Sequence, residues 1–78
     1  MYKATFNEGT EDNTSYATYE NESLTNVCDT VIAKATVKED FEMLCPNYFK
    51  QVDGSWVKIT GDDLITSNAK YTTWVASL

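Results

Sequence analysis

YFKQVDGSWVKIT, residues 48–60, sets the fold class. Asp53-Gly54 stands between two alternating runs, and a two-residue type I′ turn needs positive φ at both central positions, which Asp-Gly tolerates. Such a turn pairs Val52 with Ser55, Lys50 with Val57 and Tyr48 with Ile59. Side chains alternate across a strand, so Tyr48, Val52, Val57 and Ile59 share one face and Phe49 and Trp56 the other. This is an antiparallel hairpin with one apolar and one aromatic side.

Upstream the period changes. In SLTNVCDTVIAKA, Leu24, Val27, Cys28, Val31, Ile32 and Ala35 fall on one face of a helix, with Ser23 as a suitable N-cap. VIAKATVK also alternates and is β-branched, so a strand competes over 24–35; the six-position match favours helix. TVKEDFEMLCP gives a second helix signal, with Val37, Phe41, Leu44 and Cys45 on one face and Pro46 at its end. Thr36 and Glu39 have the spacing of a capping box. At the start, MYKATFN alternates and TSYATYE is β-prone, so residues 2–7 and 14–20 read as a hairpin joined by the NEGTEDN loop. Its acidic tip also discourages edge pairing. Downstream, Gly61-Asp62-Asp63 reads as a turn and AKYTTWVASL as a closing strand. The sum is a single α+β domain over 1–78: an antiparallel sheet of about five strands packed on one or two helices.

Seventy-eight residues lie near the lower limit for one self-sufficient core, and 42% hydrophobic content with 13% aromatics is that of a globular chain. No apolar run approaches the ~20 residues that cross a bilayer. MYKATFNEG has no signal-peptide character, so the expected location is cytoplasmic, a mature secreted form being the alternative. Cys28 and Cys45 are expected as buried free thiols rather than a bridge.

Twelve acids against six lysines, with no Arg and no His, give a net charge of −6. Direct nucleic-acid binding needs clustered Lys and Arg, and binding to anionic membranes needs the same, so neither is expected. Acidity permits solubility or steering toward a basic surface. Enzyme chemistry is poorly served: without His there is no Ser-His or Cys-His dyad, and no phosphate-binding or nucleophile-elbow glycine motif occurs. No cofactor is expected. Two cysteines cannot complete a zinc site, and Glu8, Glu11, Asp12 and Asn13 lack the spacing of a calcium loop. Asn13-Thr14-Ser15 and Asn21-Glu22-Ser23 are glycosylation sequons, which matter only in a secreted protein.

Two surface features remain. Between Lys3 and Lys34 the chain has no basic residue, while Glu8, Glu11, Asp12, Glu20 and Glu22 carry negative charge around Tyr16 and Tyr19. Such a run is most often a solvated face. As a contact surface, its tyrosines supply area at low entropic cost and its carboxylates pair with Lys or Arg. The second feature is Phe49 and Trp56 opposite the apolar hairpin face, joined by Trp74. Either the helices cover that side, or it is a contact surface for a partner or a homodimer.

The MYKATF strand, the ESLTNVCDTVIAKA helix and the VDGSWVKI hairpin followed by KYTTWVAS resemble, in architecture and size, the small acidic anti-CRISPR proteins encoded by phages. The resemblance implies a viral inhibitor acting without catalysis in the host cell. Such inhibitors occupy basic surfaces of CRISPR effectors that normally hold guide or target nucleic acid. Members that use a basic surface instead are a variant from which this chain, with six lysines and no Arg, departs. The implied mode is therefore a nucleic-acid mimic bound to a basic protein or nucleoprotein complex. The resemblance assigns no individual residue. The alternative is a phage or mobile-element assembly module that homo-oligomerises through Phe49, Trp56 and Trp74. A third reading, a secreted adhesion-type module, needs a Cys28–Cys45 bridge.

Overall fold

The computed structural model describes residues 1–78. The chain runs β1 (Tyr2–Asn7), β2 (Tyr16–Asn21), α1 (Leu24–Ile32), α2 (Lys38–Leu44), β3 (Asn47–Val52), β4 (Ser55–Lys58) and α3 (Gly61–Ala76). The strands form one antiparallel sheet in the order β2-β1-β3-β4. The fold is α+β, with four strands and three helices where about five strands and one or two helices were expected.

The β3–β4 hairpin follows its turn chemistry. Asp53 and Gly54 have φ of 50° and 81°, and Val52 pairs with Ser55 and Lys50 with Val57. The Ile59 N–H donates to the Tyr48 carbonyl at 3.2 Å. At the other end of the sheet, β1 and β2 pair without a break from Tyr2–Asn21 to Asn7–Tyr16. Alternation along β1 sends Ala4 and Phe6 into the core, where they meet Val27 and Val31 of α1 together with Ala35 and Leu44. That core is thin: the largest fully buried side chains are Val27, Val31 and Cys28.

Helix α1 starts where Ser23 predicts, with its hydroxyl accepting from the Asn26 N–H at 3.3 Å. It stops at Ile32, three residues short of the apolar pattern. Lys34 and Ala35 donate to Val31 and Ile32, a tighter i→i−3 turn that still delivers Ala35 to the core. The expected capping box at α2 does not form. Val37 is the N-cap, and Asp40 rather than Glu39 reaches back, taking the Thr36 N–H at 3.1 Å and its hydroxyl at 2.8 Å. The Thr36 backbone donor, then its hydroxyl, hold the Asp40 carboxyl below the usual carboxylate range. A depressed folded-state pKa gives support that is complete above the ordinary Asp value and is lost as pH falls through the lowered one. The protection of the Thr36 amide, its intrinsic exchange rate at each pH relative to the observed one, should therefore fall on acidification through that range. Asp40→Ala, which removes the acceptor, should give low protection at all pH values; undiminished protection in that variant would show the bond to be dispensable.

The largest departure is at the C-terminus. Gly61–Ala76 is a sixteen-residue helix, not a turn followed by a strand. Asp62 and Asp63 occupy its first turn, where negative charge complements the helix dipole. Its inner side is built by distant partners. Phe41, Tyr71 and Trp74 cluster with ring centroids 4.6–6.1 Å apart, and Lys70 pairs with Asp29 of α1 at 3.1 Å. The Tyr2 hydroxyl donates to Asp63 at 3.3 Å. Ser67, the one buried residue of α3, lies beside Cys28 of α1. Small size at that position lets α3 approach α1. No helix is long and apolar enough to cross a membrane.

Candidate partner-binding surface

A single buried side chain organises the acidic loop between β1 and β2. Asn7 Oδ1 accepts from the Gly9 and Ser15 N–H groups, each at 2.9 Å. Its Nδ2 donates to the carbonyls of Thr10, at 3.2 Å, and of Met43 on α2, at 3.3 Å. The first three bonds close the loop on itself, and the fourth clamps it to the helix. Gly9 is required by space: a Cβ there would collide with the Asn13 carbonyl and lie 2.9 Å from the Ser15 nitrogen.

The clamp brings together carboxylates that are far apart in sequence. Glu11 and Tyr16 line a hollow of about 430 Å³ with Glu39, Glu42 and Met43 of α2. Neither Glu39, expected only as a capping-box partner, nor Glu42 is among the contact residues that the sequence suggests. Their i, i+3 spacing places them on one side of α2, and the Asn7–Met43 bond, together with Leu44 in the core with Phe6, puts that side next to the loop. Glu8 and Asp12 are exposed in the same loop, and Glu20 and Glu22 are exposed at the far end of β2.

Tyr16 and Tyr19 do not act together. Three residues apart on a strand, they lie on opposite faces. Tyr16 is 62% exposed, whereas Tyr19 packs against the hydrophobic core and accepts a hydrogen bond from Asn21 Nδ2 at 3.3 Å. Tyr16, Thr18 and Glu20 form the solvent side of β2.

None of these acids has an internal counter-ion. The ion pairs of the molecule are Lys50–Asp63 and Lys70–Asp29, both away from the loop. Lys3 sits over the rings of Trp56 and Phe49, at 4.5 and 5.5 Å, and Lys34 lies over Phe6 at 5.0 Å. Four of the six lysines are thus engaged with other groups, and the acidic end forms no ion pair, with Lys34 the one lysine that shares a hollow with it, beside Glu8.

The second predicted surface is divided. Phe49 and Trp56 lie on the sheet face opposite the helices, half-buried and clasping Lys3. Trp74 is on α3 with Phe41 and Tyr71, packed against the core on the helix side. It does not extend the sheet aromatics. A second cleft, about 560 Å³, lies on that helix side between the α2–β3 turn and α3, with walls that include Phe41, Tyr48, Ile59, Leu64 and Tyr71.

Both thiols are free. Cys28 is buried, as expected, and burial pushes its thiol pKa up. Tyr48 beside it is shifted upward too, first by burial and then by the neighbouring Cys28. Cys45, expected to be buried, is exposed in a left-handed conformation with φ of 43°, where it ends α2 ahead of Pro46. A thiol reagent at neutral pH should modify Cys45 rapidly and reach Cys28 only on denaturation. Equal rates for the two in the native protein would contradict this packing. No group of three or more carboxylates and thiols is placed to hold a metal ion.

Compared with protein-family models, curated proteins and solved structures, the chain matches none.

Proposed function

We propose that the protein is a small, acidic, non-catalytic binding protein. It occupies a basic, nucleic-acid-binding surface of a protein or nucleoprotein partner. The observation that supports this reading is the acidic cluster at one end of the molecule: Glu8, Glu11, Asp12, Glu39 and Glu42 with Tyr16, its loop held by Asn7 and its carboxylates free of internal ion pairs. A CRISPR effector is the partner that the resemblance in size and acidity suggests. The carboxylates would speed encounter with a channel built for phosphates. Affinity would come from Tyr16 and from those carboxylates that pair with Arg on desolvation.

The test is capture from an extract of the host cell at low ionic strength. A nucleic-acid-binding protein should be retained, released as salt screens the charges, and displaced by duplex DNA. The triple variant Glu8→Lys, Glu11→Lys, Asp12→Lys should lose it. Capture that is indifferent both to salt and to this variant would sink the reading. The alternative of self-assembly through the sheet aromatics predicts a stable oligomer by light scattering, lost in Trp56→Ala.

A further inference from the structure

The direction of the hydrogen bonds in the sheet identifies a second property of the acidic strand. In an antiparallel ladder the backbone groups of successive residues point alternately to the two neighbouring strands. The Glu8 N–H donates to the Ser15 carbonyl at 2.7 Å, and the Gln51 N–H donates to the Met1 carbonyl at 3.0 Å. Carried along the registers, these bonds make Tyr2, Ala4 and Phe6 face β2, and Lys3 and Thr5 face β3. On β2 it is then Ala17, Tyr19 and Asn21 that bond to β1. The N–H and C=O groups of Tyr16, Thr18 and Glu20 point away from the sheet, and β2 is the last strand on that side.

An exposed strand edge is a template for further pairing, and proteins usually blunt it with Pro, Lys, a bulge or short length. The opposite edge, β4, has four residues and carries Lys58. β2 has six residues, an unbroken register and neither Pro nor Lys. Its only protection is negative charge, from Glu20 within it and Glu8 and Glu22 at its ends. That protection is selective. A second copy, itself at −6, is repelled, while a lysine- or arginine-bearing segment is attracted.

We propose that the β2 edge takes up an extended basic segment of a protein partner as a fifth strand. The proposal rests on the reading of the acidic end as an interface and adds how the partner is held. Tyr16, Thr18 and Glu20 give main-chain hydrogen bonds, as in other cases of strand addition. Their side chains, all on one face, select a basic residue opposite Glu20 and an apolar one opposite Tyr16.

The experiment uses the isotope-labelled full chain and, as probe, a capped Thr-rich peptide in which a Lys and a Val stand four residues apart, so that both fall on the face of Glu20 and Tyr16. On binding, the amides of Tyr16, Thr18 and Glu20 should become protected from hydrogen exchange, with Ala17 and Tyr19 unchanged. N-methylation of alternate peptide amides should weaken binding, roughly tenfold per main-chain bond lost. Thr18→Pro removes only an outward N–H, which an edge strand tolerates, so it should keep the thermal transition and lose the peptide. Binding that survives both N-methylation and Thr18→Pro overturns strand addition and leaves the acidic surface acting by charge alone. No binding at low salt also overturns it, and the acidic reading then stands or falls by its own capture test. Protection of the outward amides without peptide, together with a dimer in light scattering, overturns it in favour of a second copy.

Discussion

Phe6→Ala should lower the unfolding free energy by about 3–5 kcal/mol, the usual range for truncating a buried aromatic. Phe6 is 2% exposed on the central strand β1, in a cluster with Ala4, Val27, Val31, Ala35 and Leu44. Few residues of this core are as large, so neighbouring side chains have little bulk with which to refill the space. A domain of this length holds roughly 4–12 kcal/mol in total. The variant should therefore be partly unfolded at physiological temperature. Guanidinium titration reads the effect, and an unchanged m-value would show that the denatured state is not the cause. Phe6→Leu keeps more of the volume and should lose less. A loss below about 1 kcal/mol for Phe6→Ala would place the core elsewhere.

The parts of this fold that were readable from sequence are those whose determinants are local. Asp53-Gly54 specifies its own turn and thereby the β3–β4 register. Ser23 and the apolar spacing from Leu24 to Ile32 specify α1 in the same way. Helix α3 had no such marker. Tyr71, Thr72, Thr73, Trp74 and Val75 favour strand locally, and the contacts that make them helical lie far away: Phe41 against Tyr71 and Trp74, Asp29 against Lys70, Tyr2 against Asp63. Tertiary packing outweighed propensity there. At α2, both Glu39 and Asp40 were within reach of Thr36, and spacing alone does not choose between them.

The candidate surface divides along the same line. Its negative charge is a property of composition and was visible at once. That Tyr19 turns inward follows from alternation, since a three-residue interval on a strand separates faces. The contribution of Glu39 and Glu42 depends on how α2 meets the β1–β2 loop, which is set by Leu44 in the core and by one asparagine whose sequence context, a strand end before a loop, is unremarkable. The charge was legible; its shape was not.

That asparagine carries the second large effect. Asn7→Leu should cost about 2–4 kcal/mol, less than the sum of four buried hydrogen bonds because the opened loop regains water. The N–H groups of Gly9 and Ser15 and the carbonyls of Thr10 and Met43 all lose their partner. Amide exchange at Gly9 and Ser15 should rise toward that of an open loop, ahead of global unfolding. Asn7→Asp separates the two roles of the side chain. At neutral pH it still accepts from Gly9 and Ser15, which keeps the loop closed through two of its three bonds, but it can donate neither to Thr10 nor to Met43, and a charge is added beside the acidic hollow. It should therefore keep those two amides protected while α2 and its carboxylates move independently of Glu11 and Tyr16. If the hollow is what a basic partner recognises, Asn7→Asp should weaken capture although it makes the protein more acidic. Stronger capture would mean that net charge, and not the arrangement held by Asn7, is what the partner reads.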